Sequence, residues 1–257
     1  MKAKLRNQIA LVTGSTQGLG RAIALKFAEN GADIVVNSMF PEEAPPILKE
    51  LGGSGVKAVF EEADITDYQS VKHMVTRAVN RMGRIDILVA SGGATGGMLM
   101  PRYFHETDPD SYVDVAKSQW FSRLYCVRAV LDHMIARQRG KIIMITTDAG
   151  RWPTPGESVI GGAGAAIVMA TKVLAAEFAR WQIRVNTIST TVIRNTPGGQ
   201  IALDNPAAKV FEKALKRQPF PVGTGDIAEA ALFLASQDSD QITGQVLSVN
   251  GGLCFPG

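Results

Sequence analysis

The sequence predicts a single doubly wound α/β domain over residues 1–257, with a seven-stranded parallel sheet between two layers of helices. Three observations predict it. Short, wholly apolar runs alternate with amphipathic stretches along the chain, the pattern of strands buried on both faces and joined by crossover helices. A glycine-rich loop separates the first apolar run from the first helical stretch, where glycines let a backbone approach a phosphate. The third is size: 257 residues, 46% of them hydrophobic, suffice for one substantial core, and no linker, repeat or composition break divides them.

The elements follow in order. Ile9–Thr13 is a buried strand, and Arg21–Asn30 a helix closed by Gly31. Asp33–Asn37 and Ala58–Glu61 are the next strands. Tyr68–Met82 is helical, with Val71, Met74, Val75, Ala78 and Val79 on one face and Gly83 at its end. Ile85–Ala90 is a fourth strand. Thr107 and Asp110 open a long helix, Ser111–Arg137, followed by strand Lys141–Thr146, helix Gly162–Trp181 and strand Val185–Ser189. Helices Ala207–Arg217 and Asp226–Ser236 and strand Val246–Val249 complete the pattern, while Phe40–Pro46 and Thr190–Pro206 read as mobile loops.

Composition excludes several function classes. Against 24 acidic residues stand 27 basic ones, and a formal charge of +3 is too small and too mixed to argue for nucleic acid or an anionic membrane. Cys126 and Cys254 cannot make a disulfide framework and suit a reducing compartment. No apolar run approaches the roughly 18 residues of a membrane span. The start, MKAKLRNQ, leads straight into a strand, so no signal peptide is predicted and a cytoplasmic protein is expected. His73, His105 and His133 lack metal-ligand spacing, and no metal is expected.

The glycine loop reads Thr13-Gly14-Ser15-Thr16-Gln17-Gly18-Leu19-Gly20. Its TGxxxGxG spacing resembles that of the short-chain dehydrogenase/reductase family, a Rossmann-fold family. Other segments agree in order: Ala63–Asp67 with the adenine-contacting loop, Arg84–Val89 with the fourth strand, Gly140–Thr146 with the strand before the catalytic serine, Arg184-Val185-Asn186 with the sixth strand, and Ile242–Gln245 with Val249–Gly252 at the C-terminal signature. The resemblance covers essentially the whole chain. It implies hydride transfer between a nicotinamide and a carbonyl or alcohol carbon. A tyrosine passes the proton, a lysine four residues later tunes it, a serine polarises the oxygen, and an asparagine supports a water relay.

The same alignment puts other residues at those positions. Thr147 stands at the serine position, Ile160 at the tyrosine, Gly164 at the lysine and Gln119 at the asparagine, so no intact catalytic set is expected. Losing one positioned general acid/base typically lowers the rate by ~10²–10⁴. The family's Asn-Asn-Ala-Gly reads Ala90-Ser91-Gly92-Gly93, and its Pro-Gly after the sixth strand reads Thr190-Thr191. Ser38 and Met39 replace the usual ribose-reading acid or arginine, and neither separates NAD from NADP. Gly14, Ser15, Gln17, Gly18, Leu19, Gly20, Ser38, Asp64 and Ile65 are therefore read as a vestigial or weak dinucleotide site.

Spelled phosphate cradle, unspelled nicotinamide half and well-patterned long helices imply a catalytically inactive pseudoenzyme. Such a chain would be a structural subunit in a heterotetramer with an active paralogue that carries NAD and acts on a β-hydroxyacyl-CoA. NAD(P) binding by this chain is expected to be weak or absent. Its assembly surfaces would be Ser111–Arg137, Gly162–Trp181 and Val246–Val249. Two alternatives stand beside this: a divergent active NAD(P)-dependent reductase of enoyl-acyl-CoA, and a dinucleotide sensor. Lys209, Lys213, Lys216 and Arg217 read as a solvated face rather than a coenzyme A attractor. Gly161, Gly162 and Gly164 read as drift after loss of catalysis rather than as room for a neighbouring backbone, and Asp148 as a neighbour of Thr147 rather than a substitute acid.

Overall fold

The computed structural model describes residues 3–93, 101–203 and 208–256. The chain runs β1 (Ile9–Val12), α1 (Gly18–Glu29), β2 (Asp33–Ser38), α2 (Ala44–Gly52), β3 (Ala58–Glu62), α3 (Tyr68–Met82) and β4 (Ile87–Ala90). It continues through α4 (Tyr112–Ala116), α5 (Ser122–Ala136), β5 (Gly140–Thr147), α6 (Ser158–Phe178) and β6 (Ile183–Thr190). The last elements are α7 (Pro197–Leu203), α8 (Ala208–Arg217), α9 (Thr224–Ala235) and β7 (Val246–Val249). The strands form one seven-stranded parallel sheet in the order β3-β2-β1-β4-β5-β6-β7. The order reverses beside β1, between β2 and β4, and such a switch point opens a crevice at the carboxyl ends of the strands.

Strand periodicity sorts the core into two layers. Ala10, Val12, Ile87, Val89, Ile143 and Ile145 face α1, α2 and α9, where Ile23, Phe27, Ile47 and Leu51 meet them. Leu11, Leu88, Ile142 and Met144 face α3, α5 and α6. In α3, Asp67 caps the first turn by accepting from the Gln69 N–H at 2.9 Å, and Gly83 at φ +88° ends the helix. Burying each of Val71, Met74 and Val75 on this helix contributes about 1.5–3 kcal/mol.

Several segments depart from the sequence reading. The long helix expected at Ser111–Arg137 is α4 and α5 joined by a π-helical turn, Lys117–Phe121, an insertion frequent at functional sites. The loop expected at Phe40–Pro46 is instead a 3₁₀ turn, Pro41–Glu43, running into α2, because prolines are tolerated in a first helical turn. The loop expected at Thr190–Pro206 contains α7, and its residues 204–207 lie outside the described residues. Helix α6 begins at Ser158, one turn ahead of the expected Gly162.

With the 3₁₀ turn that follows it, α6 makes an apolar helix, Ser158–Trp181, long enough to cross a membrane by length and composition. The sequence reading gave no such run. Its inner face, including Ile167, Thr171, Ala175 and Phe178, is buried in the core. This is the position of a covering helix of the fold.

Candidate functional site

A cleft of about 560 Å³ opens where the carboxyl ends of the inner strands diverge. Its walls include the glycine loop, the ends of β2, β4, β5 and β6, and α7. Gly14 and Gly18 both adopt φ +57°, and a Cβ on Gly14 would stand 2.6 Å from Gly92 Cα. Glycine at Gly14 is thus required both by the turn and by the close pass of two backbones. A reciprocal pair locks that pass: the Thr13 hydroxyl donates to the Ser91 carbonyl at 2.7 Å, and the Ser91 hydroxyl donates to the Thr13 carbonyl.

The loop delivers its chain to the N-terminus of α1. No acidic side chain lies in the first turn, and the N-cap residue Gln17 makes no side-chain cap. Gln17, Gly18, Leu19 and Gly20 line the cleft here, so uncapped N–H groups and the positive end of the helix dipole face it. That donor set fits a pyrophosphate. Ser15 has a different task. Its buried hydroxyl donates to the Val12 carbonyl at 2.7 Å and accepts from the Asn37 N–H at 3.1 Å, which ties the loop to β2.

At the β2 end, Ser38, Asp64 and Ile65 line the cleft as placed from the sequence. The Asp64 carboxylate is held in a tight turn, accepting from the Thr66 N–H and hydroxyl at 2.8 Å each. The sequence reading missed Glu43 here. Its Oε2 accepts from the Thr16 hydroxyl at 2.5 Å and from the Ser38 hydroxyl at 2.8 Å. Glu43 lies five residues after Ser38 in the chain, in the 3₁₀ turn.

At the β5 end, the structure brings Thr147 and Gln119 into one wall with Glu157, Arg123, Thr190 and Thr191. Thr147 Oγ1 accepts from the Ala149 N–H at 3.2 Å, and Gln119 Nε2 donates to Ser118 Oγ at 3.2 Å. Ile160 is not part of this wall. It lines a smaller cavity of about 290 Å³ with Arg102, Ser111, Tyr112 and Val115. Gly164 packs directly beneath Thr147: a Cβ there would stand 3.1 Å from both Thr147 Cγ2 and Gly150 Cα. Gly161 is similarly tight, with 2.8 Å from its would-be Cβ to the Ala149 carbonyl, whereas Gly162 meets nothing within 4 Å. Gly161 and Gly164 therefore admit a neighbouring backbone, contrary to their reading as drift, and only Gly162 lacks a packing reason.

Two further wall residues were not found in the sequence. Arg123 is 4% exposed, and its guanidinium donates to the carbonyls of Ser118, Gly92 and Ile145 and to the Ser122 hydroxyl. Burial lowers its pKa to about 10. Its place among Cys126, Val127 and Val130 on the buried face of α5 was a readable signal. Glu157 precedes α6, is half-buried, and has its pKa raised to about 7 by burial. An acid ahead of a helix is common, so the sequence offered little warning. Among the described residues of the cleft wall there is no tyrosine, lysine or histidine, and Asp64, Arg123 and Glu157 are the ionisable ones.

Asp148 is a structural carboxylate. It is 4% exposed and accepts from the hydroxyls of Ser189 (2.6 Å) and Ser248 (2.8 Å) and from Asn250 Nδ2 (2.7 Å). It joins the turn after β5 to β6, β7 and the C-terminal segment.

The comparisons agree with this fold. A family model described as enoyl-(acyl carrier protein) reductase matches residues 14–254. The chain is 36% identical to oxidoreductase UcpA of Salmonella typhimurium, over 98% of this chain and 97% of that protein. It is 35% identical to subunit BbsD of the (2S)-[(R)-hydroxy(phenyl)methyl]succinyl-CoA dehydrogenase of Thauera aromatica, over 96% and 97%. It is 31% identical to the 3-oxoacyl-[acyl-carrier-protein] reductase FabG of Thermotoga maritima, over 97% and 99%. Among solved structures, a 7α-hydroxysteroid dehydrogenase complexed with NADH and 7-oxo glycochenodeoxycholic acid matches with a TM-score of 0.88 at 28% identity, covering 98% of this chain and 96% of that one.

Proposed function

The chain belongs to the short-chain dehydrogenase/reductase family of oxidoreductases, and from that premise we propose that it is a non-catalytic structural subunit of a heteromeric NAD-dependent alcohol dehydrogenase. Its partner would be an active paralogue that carries NAD and oxidises a β-hydroxyacyl-CoA to the β-oxoacyl-CoA. One observation carries the reading. The cleft keeps a phosphate cradle, while its described wall has no tyrosine or lysine, and the family's lysine position is Gly164, packed against the turn after β5. In such a dehydrogenase a dinucleotide bound along the cleft would accept the hydride from the alcohol carbon. The chain's own residues would hold its pyrophosphate at α1 and offer only the Thr147 hydroxyl to a substrate oxygen, without the tyrosine–lysine pair that hands on its proton.

Support for an assembly comes from the surface. Helix α6 turns Met169 and Val173 outward, 59% and 46% exposed, and β7 is one of the two edges of the sheet. Support for the substrate class comes from the relatives. The Thauera protein is by its name a subunit of a dehydrogenase of an aromatic hydroxyacyl-CoA, and the Thermotoga protein a reductase of an acyl thioester. On this reading the chain is similar to the non-catalytic subunit of the hydroxybenzylsuccinyl-CoA dehydrogenase of anaerobic toluene degradation, and it would work in a heterotetramer with an active subunit.

Purification from the native host under gentle conditions tests this. A second family member with intact tyrosine and lysine is expected in fixed stoichiometry, with all NAD-dependent oxidation of hydroxyacyl-CoA lost when that partner's tyrosine is replaced. A lone homo-oligomer would overturn the reading.

Glu157 favours a second reading, a divergent NAD(P)-dependent reductase of acyl-CoA. A carboxyl whose pKa burial raises to about 7, lining the same cleft as Thr147, would be able to give a proton to a reduced substrate at neutral pH. NADH or NADPH consumption by the purified chain with enoyl-CoA, abolished by Glu157→Gln, would establish it in place of the first.

A further inference from the structure

The adenosine end of the cleft carries a chemical asymmetry that the family resemblance does not provide. Thr16 in the glycine loop and Ser38 at the end of β2 both line the cleft, and both donate their hydroxyl hydrogen to the same oxygen of Glu43, at 2.5 and 2.8 Å. A hydroxyl has one hydrogen to give. With it directed at Glu43, Thr16 and Ser38 present only lone pairs to a ligand, and the Ser38 oxygen also accepts from the Phe40 N–H at 3.1 Å. Behind these two oxygens stands a carboxylate. The only basic side chain among the described residues of the wall, Arg123, reaches the carbonyls at the ends of β4 and β5. In the sheet order β2-β1-β4-β5 it is up to three strand steps away, on the order of 14 Å at ~4.8 Å per step.

We propose that Glu43 makes this end of the cleft selective for an adenine nucleotide whose ribose 2′-hydroxyl is free, by fixing Thr16 and Ser38 as acceptors. A ribose hydroxyl is a donor and finds acceptors waiting. A 2′-phosphate brings only acceptor oxygens and negative charge, meets no donor among these groups, and approaches the Glu43 charge. Glu43 is a positioning residue, acting through the two hydroxyls; it does not itself line the cleft. In many doubly wound folds an acid at the end of the second strand bonds the ribose directly. Here the strand ends in Ser38, and the acid comes from the next turn. The inference concerns binding alone. It rests on the cleft being a nucleotide site of the family fold, not on whether the chain catalyses.

The test titrates the purified full-length chain with NADH and NADPH, and with 5′-AMP and adenosine 2′,5′-bisphosphate, by calorimetry. The wild-type chain is expected to bind the member of each pair that lacks the 2′-phosphate more tightly by about tenfold to a hundredfold, the range of a charge-assisted hydrogen bond set against an unpaired phosphate. In Glu43→Ala the hydroxyl hydrogens are released and the charge is gone, and the preference should fall to within about threefold, with the 2′-phosphorylated ligands binding more tightly than to wild type. Glu43→Gln, which keeps an acceptor without the charge, should be intermediate. A folding defect would weaken both members of a pair and leave their ratio unmoved, so the ratio reads the proposed role. Equal affinities in the wild type, no binding of either nucleotide, or an unchanged ratio in Glu43→Ala would each overturn the proposal. None of these outcomes bears on the subunit reading, which fails instead if the chain turns over substrate alone.

Discussion

Replacing Glu157 by glutamine tests whether the β5 end of the cleft holds a strained carboxyl. Burial raises its pKa from 4.5 to about 7. The folded protein therefore holds this proton more tightly than the unfolded chain does. The stabilisation is complete below the unfolded value and is lost as the pH rises through the folded one. Integrated between pH 4.5 and pH 8, the loss is about 3 kcal/mol for a fully desolvated group, and about 2 kcal/mol once the exposed side of this half-buried residue is allowed for. Glu157→Gln keeps the shape and removes the charge. At pH 8 it should be more stable than wild type by about 2 kcal/mol, or roughly 4–8 °C in Tm for a chain of this size. The gain should shrink as the pH falls and vanish only below about pH 4.5, where the carboxyl is protonated in both the folded and the unfolded chain. Thermal unfolding of both proteins across pH 5–9 measures this. Parallel pH–stability curves would refute the reasoning, because they would mean that the carboxyl is solvated in the folded state.

Two other outcomes follow from the packing around it. Asp148→Ala removes the acceptor shared by Ser189, Ser248 and Asn250 and leaves their donors buried, so chemical denaturation should show a loss of about 3–5 kcal/mol; a loss below about 1 kcal/mol would show that the cluster repacks at no cost. Gly161→Ala and Gly162→Ala should move Tm in opposite directions. The first forces a methyl to 2.8 Å from the Ala149 carbonyl, while the second meets nothing and gains helix propensity of roughly 0.5–1 kcal/mol.

The elements with strong periodicity were legible from the sequence because local and tertiary preferences agree there. Tyr68–Met82 is observed with its expected boundaries, since the Asp67 cap, the apolar stripe and Gly83 all specify the same helix. Where prolines stand, as in Ala44-Pro45-Pro46, the composition of a loop and of a first helical turn is the same, and α2 was hidden. The cradle was legible for a comparable reason: its residues are contiguous, and their spacing encodes the turn. The rest of the site was not. Glu43 meets Thr16 across 27 positions, and Arg123 reaches Gly92 across 31, and only the fold makes those pairs neighbours. Glu157 carries no periodic signal, and its unusual property comes from burial, which a sequence does not display.

Gly164, read from the sequence as standing at the family's lysine position, belongs to a packed region that reaches the sheet edge. The turn Asp148–Gly150 lies directly on α6: a Cβ on Gly150 would stand 2.5 Å from the Gly164 carbonyl carbon and 2.6 Å from Ala165 N. The same turn is fastened by Asp148 to Ser189 on β6 and to Ser248 on β7. A side chain introduced at Gly164 would therefore press on a turn that is held from the far side by buried hydrogen bonds, and tightly packed interiors yield little to such pressure. Thr147 stands at the start of this turn, while β7 is one of the two edge strands of the sheet. Asp148 thus connects Ser248 on the sheet edge to the turn that begins at Thr147, through one hydrogen bond and one step of the chain.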